Sequence, residues 1–314
     1  MNILYFIILS IGCLLILNFF YKRTNHFNNQ FVDVRKFWKN AKREHDLQIV
    51  NLGSNHPKFG LDYACIGVKG ENWAVGPQTF EYDFAILRQN YCYLAPGATV
   101  IIPVCLLKFF LYRQKSRATH AKYYTFLPDV DIVGYSSWEK FRYVTFPVIN
   151  PSRWQFILKD VKKDNRLELT TNPMITVEQL EKDANKWINL WNKEFDITLP
   201  EPTLSEENKS EIQNNIFVLQ EMLEFCTSKG LRPVLAILPV TNYLSSKFTE
   251  SFIENHILRY LNDANTVNAP LLNYLKDERF TDPSLYINSF FMNKNGRAKF
   301  MGIILEKLNK ENVL

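Results

Sequence analysis

Hydrophobic residues run from Ile3 to Tyr21 with only Ser10, Gly12 and Asn18 interrupting them. At about 1.5 Å per residue, a helix of that length roughly matches a bilayer's hydrocarbon core, so residues 3–21 are predicted to form a transmembrane anchor. A cleaved signal peptide fits less well, because no Lys or Arg precedes the run and Phe19-Phe20-Tyr21-Lys22-Arg23 supplies no small-residue cleavage site. Residues 22–46 are polar and basic, with Phe27, Phe31, Phe37 and Trp38 interspersed. Within them, Val34 to Lys42 can form a short amphipathic helix, either on the membrane surface or packed as the first helix of the body.

From Leu47 the pattern changes. Leu47 to Gly53 is a short apolar run ending in Gly53-Ser54-Asn55, which predicts a buried strand entering a tight turn. A helix is expected from Gln78 to Tyr93, with Phe80, Phe84, Leu87 and Tyr91 at three- and four-residue spacing, and a second strand from Ala98 to Cys105. A helix from Glu206 to Ser228, closed by Lys229-Gly230, leads to a third strand, Pro233 to Pro239. Helices from Ser245 to Leu261 and from Lys294 to Lys310 complete the alternation, which implies an α/β body over 47–310 with a mostly parallel sheet covered on both faces. Ligands in such sheets bind beyond the carboxyl ends of the strands, so Ser54 stands where a site is expected. Residues 108–202 break the rhythm, being aromatic, basic and interrupted by Pro128, Pro147, Pro151 and Pro173. They read as a large insertion that carries one good helix, Thr176 to Glu194, whose Leu180, Trp187, Leu190 and Trp191 form an aromatic stripe, more often a packing face than a sugar platform.

Composition narrows the class. A hydrophobic content of 46% with only 11 Gly and 14 Pro supplies a core and excludes disordered, collagen-like and coiled-coil chains. Five cysteines, at 13, 65, 92, 105 and 226, make no Cys-x-x-Cys pair, which argues against a disulfide framework or structural zinc, and no cofactor is implied. The net charge of +5 comes without a nucleic-acid-reading motif, so nucleic acid is not an expected partner.

Ser54, following a buried strand and preceded by Gly53, presents a hydroxyl beside backbone N–H groups, as a nucleophile requires; the same residues also suit an ordinary helix-capping turn. Gly53-Ser54-Asn55-His56 with Gly60, then Glu71-Asn72-Trp73-Ala74 leading to Gln78 and Asp83-x-x-Ile86-Leu87, then Ile101-Ile102-Pro103, resemble the SGNH/GDSL-hydrolase-like superfamily. The closest likeness is to its membrane-anchored members associated with cell-envelope polysaccharides, including the branch of the teichoic-acid D-alanylation protein. Pro233 to Val240 and Phe291-Met292-Asn293-Lys294-Asn295-Gly296 resemble that family's penultimate strand and terminal block. The resemblance implies a flavodoxin-like three-layer α/β/α sandwich, a serine esterase or O-acyltransferase using Ser54, and an extracytoplasmic body. Its expected partners are the membrane and an envelope polysaccharide or a membrane acyltransferase. Substrate would lie against Gly53, with Asn72 and Gln78 on the rim of a cleft partly roofed by the insertion.

This chain departs from the family at the catalytic base. The terminal block of the family carries Asp-x-x-His ahead of an Asn and a Gly, and those positions here are Asn288 and Phe291. Phenylalanine takes no proton, and loss of a triad member costs several orders of magnitude in rate. His56 is the substitute base to consider, although a histidine two positions from the nucleophile on a turn more often points elsewhere, at a helix start or the surface; His120 falls in the insertion and His256 on a helix, Asp282 reads as a turn residue, and Asn293 with Gly296 suits a helix start. Three functions follow: a tethered envelope esterase or acyltransferase, a catalytically degenerate SGNH-like domain that binds glycan or a partner enzyme, and an anchored interaction protein without a glycan connection. Topology is contested as well. The seven basic residues between Lys22 and Arg43 argue for a cytoplasmic body, whereas the resemblance favours the extracytoplasmic side, which is the expectation adopted.

Overall fold

The structure is a computed structural model and describes residues 2–65, 67–112, 120–159 and 176–310. It separates into two units, Met1–Arg43 with Gln114–Leu167, and Glu44–Arg113 with Glu168–Leu314. The expected insertion 108–202 is therefore divided: its middle belongs with the N-terminal segment, whereas its long helix belongs with the sheet. Its portions 113–119 and 160–175 lie outside the described residues.

In the first unit, helix α1 (Asn2–Tyr21) contains a stretch, Ile3–Tyr21, long and apolar enough to cross a membrane. It stays uncovered until its last turn, where Tyr21 is buried and its hydroxyl lies 2.8 Å from His26 Nδ1. The segment expected as an amphipathic helix over Val34–Lys42 is a 3-10 helix, Val32–Phe37. Val34 and Phe37 are buried within the unit, Phe37 stacks on Phe126 at 5.1 Å, and Trp38 Nε1 donates to Thr125 Oγ1 at 3.0 Å. The apolar side of this segment is thus spent on the protein's own core.

The second unit is a five-stranded parallel sheet in the order β2-β1-β3-β4-β5, with β1 Leu47–Asn51, β2 Gly70–Asn72, β3 Leu94–Pro103, β4 Arg232–Ile237 and β5 Leu271–Asn273. Alternation along the strands divides the core. Ile49, Ile101, Val234, Ala236 and Leu272 point to one face and pack with Phe300, Met301, Ile304 and Leu308 of the C-terminal helix Lys294–Lys310. Val50, Val100, Ile102, Leu235 and Ile237 are equally buried on the other face, where the helix Glu206–Ser228 packs on β4 and on the helix Phe80–Asn90. Helices on both faces of a parallel sheet in this order make the body a flavodoxin-like α/β/α sandwich.

Local chemistry explains the helix ends. Ser205 Oγ accepts the Asn208 N–H at 3.1 Å to open Glu206–Ser228, and Gly230 at φ +67° closes it. The helix Val177–Phe195 opens on a capping box formed by Thr176 and Gln179. One boundary differs from expectation. Instead of Ser245–Leu261, the chain makes a short turn of helix, Asn242–Ser245, and restarts at Glu250 under a Thr249 cap, with a π-helical stretch Glu254–Leu258 before Arg259–Ala264.

Candidate functional site

Strand β1 ends between β2 and β3, where the strand order reverses direction, and Leu52-Gly53-Ser54 turns there into the short helix Asn55–Gly60. That switch point is where open α/β sheets bind ligands. Gly53 has φ +109°, and a Cβ on it would meet Pro57 Cγ at 2.5 Å, so the turn requires glycine. Ser54 occupies the N-cap position without its hydroxyl making the cap bond. Its Oγ instead accepts the Gln78 N–H at 3.2 Å.

Beneath the turn lies a charge pair that sequence reasoning missed. Asp83 and Lys108 are 0% and 2% exposed, with Lys108 Nζ 2.9 Å from Asp83 Oδ2. Asp83 Oδ1 accepts the Gly53 N–H at 2.7 Å and also the Gln78 side-chain amide, which in turn donates to Gly53 O at 3.2 Å. Lys108 Nζ donates to Gln78 O at 2.6 Å. The Gly53–Ser54 turn and the Gln78 backbone are thereby clamped to one buried ion pair, whose charges are tolerable in the interior because each is hydrogen-bonded as well as paired. A signal was present in the sequence: Asp83 sits three residues after Phe80 and four before Leu87, on the apolar stripe of its helix, where an unpaired carboxylate would be costly.

His56 lies in the first turn of the same short helix and is 3% exposed. Its Nε2 is 3.2 Å from Pro239 O; a carbonyl only accepts, so Nε2 carries the proton and Nδ1 is bare, buried and without a partner. Burial lowers the His56 pKa to about 4, partly offset by the Pro239 bond. The ring packs on Phe290 and Phe291, with centroids 4.5 and 6.4 Å away. It makes no hydrogen bond to Ser54, and among the described residues no side chain accepts the Ser54 hydroxyl proton.

Ser54 and His56 line a cleft of about 150 Å³ together with Cys105, Trp187, Trp191 and Phe291. Trp187 meets Phe290 and Phe291 edge-on at 5.1 and 5.9 Å, and Phe291 meets Phe59 at 5.2 Å. Asp183 Oδ2 ties the helix carrying both tryptophans to the loop carrying both phenylalanines, accepting from Trp187 Nε1 at 3.1 Å and from Ser289 Oγ at 2.6 Å. Burial pushes the Cys105 thiol up to about 12, against a smaller opposing effect of Lys108, so it is a neutral thiol at physiological pH. A roomier groove of about 540 Å³ includes Leu271, the first residue of β5, and so begins at the amino end of that strand, away from the ligand-binding edge.

The remaining expected residues do structural work. Neither Asn72 nor Gln78 lines the cleft, in contrast to the expected rim positions. Asn72 Nδ2 donates to Pro57 O and Leu61 O at 3.0 and 2.8 Å, while its Oδ1 accepts from Asn51 and from the Ala74 N–H, so it fastens the short helix to the sheet. Gln78 is buried in the clamp just described. Asn288 Oδ1 accepts the N–H groups of Phe290 and Phe291 at 2.9 and 2.8 Å and shapes the loop that presents them. Asn293 Oδ1 caps the final helix through the Asn295 and Gly296 N–H groups, and Asp282 caps a 3-10 turn through Ser284. His256 pairs with Tyr260 at 3.0 Å, and His120 belongs to the first unit; neither lines the cleft. Chemically, the site offers one hydroxyl, one neutral imidazole, one neutral thiol, the Asn55 amide, the Glu194 carboxyl group and a wall of aromatic rings, with no hydrogen bond between Glu194 and Ser54. No family model and no curated protein matches this chain.

Proposed function

We propose that the protein is a membrane-anchored, SGNH-like binding domain of cell-envelope polysaccharide assembly or modification, in which the hydrolytic apparatus is no longer complete. The observation that carries this reading is the surroundings of Ser54: its hydroxyl meets a backbone N–H, the neighbouring histidine is turned toward Pro239, and Phe291, which the sequence resemblance aligns with the family's histidine, lines the cleft. A serine without a base is a weak nucleophile, and an imidazole with a pKa near 4 is a poor proton acceptor at neutral pH. What remains is an aromatic cleft at a sheet's ligand-binding edge, which suits the flat apolar faces of sugar rings or an acyl group. In this reading α1 is an uncleaved anchor, and the body stands on the extracytoplasmic side, a placement that rests on the resemblance and overrides the positive-inside tendency.

The test is a set of purified variants assayed with p-nitrophenyl acetate. Wild type and Ser54→Ala are expected to give the same background rate, and Ser54-dependent hydrolysis to appear in Phe291→His with Asn288→Asp, which restores a base and its orienting group at the family's spacing. Wild-type turnover abolished by Ser54→Ala would replace the binding reading with the esterase one. Protease accessibility in intact cells checks topology, and a body protected until the membrane is permeabilised would place it in the cytoplasm.

A further inference from the structure

We propose that the first unit makes a second contact with the bilayer, seating the helix Trp154–Lys159 in an anionic headgroup layer beside α1; this rests on the reading of α1 as an anchor. The last turns of α1 are fastened to that region of the chain. Asn18 Nδ2 donates to Thr145 O at 3.2 Å, α1 packs on the 3-10 turn Pro147–Ile149 and on the helix Trp154–Lys159, and His26, just beyond α1, stacks on Phe156 at 3.6 Å. If α1 spans the bilayer, Asn18 and Tyr21 lie at its boundary, and whatever is packed against them is held at the same depth.

The short helix is built for that depth. Phe156 and Ile157 are half-buried toward the unit, while Trp154 and Leu158, one helical turn apart and so on one face, are 40% and 84% exposed. Trp154 Nε1 donates to Val148 O at 2.8 Å, which satisfies its polar edge and leaves an apolar ring, the arrangement that favours tryptophan at membrane boundaries. Leu158 is flanked by the exposed Lys159, and at the end of α1 the Arg23 guanidinium lies 3.6 Å from the Phe19 ring centroid, a cation folded back over the apolar span.

Charge identifies the lipid. Residues 2–43 and 120–159 hold twelve Lys and Arg against four Asp and Glu, a net +8, whereas the whole chain carries +5, so the remainder is −3. The basic excess of this protein therefore resides entirely in the unit attached to α1, which matches an anionic surface within a Debye length of the bilayer.

Nitroxide labelling of the full-length protein tests this. One label is placed at the native Cys13 or at Leu158→Cys, the other cysteines being replaced by alanine, and the protein is assembled into lipid discs with or without phosphatidylglycerol in phosphatidylcholine. Accessibility to oxygen relative to a water-soluble nickel reagent is read by electron paramagnetic resonance. Position 158 is expected to favour oxygen several-fold in the anionic discs, as position 13 does, and to a smaller degree in phosphatidylcholine alone, where packing on α1 still holds the depth but the basic residues gain nothing. An aqueous signal at 158 with an immersed one at 13 overturns the second contact and leaves the anchor standing. Aqueous signals at both positions overturn the anchor itself, and equal immersion of 158 in both lipids overturns the anionic preference.

Discussion

Replacing Lys108 by methionine removes the positive half of the charge pair beneath Ser54 while keeping most of its apolar stem. Asp83 would then be buried without its ion-pair partner, keeping only the Gly53 N–H and the Gln78 side-chain amide as donors, and Gln78 O would lose the ammonium donor it now has at 2.6 Å. Breaking a buried pair in this way costs about 3–5 kcal/mol. At about 2–4 °C per kcal/mol for a body of this size, unfolding of the sheet unit should shift down by roughly 6–20 °C. The double variant Asp83→Leu with Lys108→Met is more discriminating. An ion pair that served only itself would be replaceable by apolar side chains at little cost. Here Asp83 Oδ1 also holds the Gly53 N–H at 2.7 Å, and the double variant strands that buried donor. It should remain destabilised by about 1–3 kcal/mol, the penalty of an unsatisfied buried group. Thermal unfolding followed by tryptophan fluorescence reads both values, since Trp73 is fully buried in this unit. A single variant within about 1 kcal/mol of wild type, or a double variant as stable as wild type, refutes the view that this pair fixes the turn.

His56 should make stability depend on pH in a defined window. Its pKa is lowered from 6.5 to about 4 in the folded protein, so between those values the unfolded chain binds a proton that the folded one does not. The associated stability is present above pH 6.5 and lost as pH falls toward 4, by about 3 kcal/mol for a shift of this size. Urea midpoints at pH 7 and pH 4.5 should therefore converge in His56→Phe relative to wild type, and parallel losses in the two proteins would refute the assignment. Cys105, held as a neutral thiol with its pKa raised to about 12, should react with iodoacetamide at pH 8 roughly a thousandfold more slowly than an ordinary cysteine. Mass spectrometry of the labelled peptide measures this, and rapid modification of this half-buried cleft residue would contradict the raised pKa.

The residues of the candidate cleft come from five separate stretches of the chain: the β1 turn, Pro77 ahead of the helix Phe80–Asn90, the segment after β3, the helix Val177–Phe195 and the loop before the last helix. Sequence spacing pointed to Ser54 because a Gly-Ser turn after a buried run is a local pattern, and His56 entered only as the nearby substitute for the base missing at Phe291. The strand-turn pattern, with the rule that open parallel sheets bind ligands at their carboxyl edge, also put Asn72 and Gln78 on the rim. The structure engages them with backbone groups of neighbouring elements, as buried polar groups require.

The anchor-like helix, strands β1, β3 and β4, and the helices Glu206–Ser228 and Lys294–Lys310 were legible in the sequence itself. Each depends on a local property: an unbroken apolar run, a buried strand bounded by turn residues, or caps within a few residues of the helix ends. Strands β2 and β5 were not legible, being three residues each, too short for periodicity and ordered by pairing with β1 and β4. The division of residues 108–202 between two units, the Asp83–Lys108 clamp and the orientation of His56 toward Pro239 likewise join residues 25 to 183 positions apart. Contacts at such separations are selected by burial and by the demand that every interior charge and hydrogen-bonding group find a partner, and only the assembled fold supplies those partners.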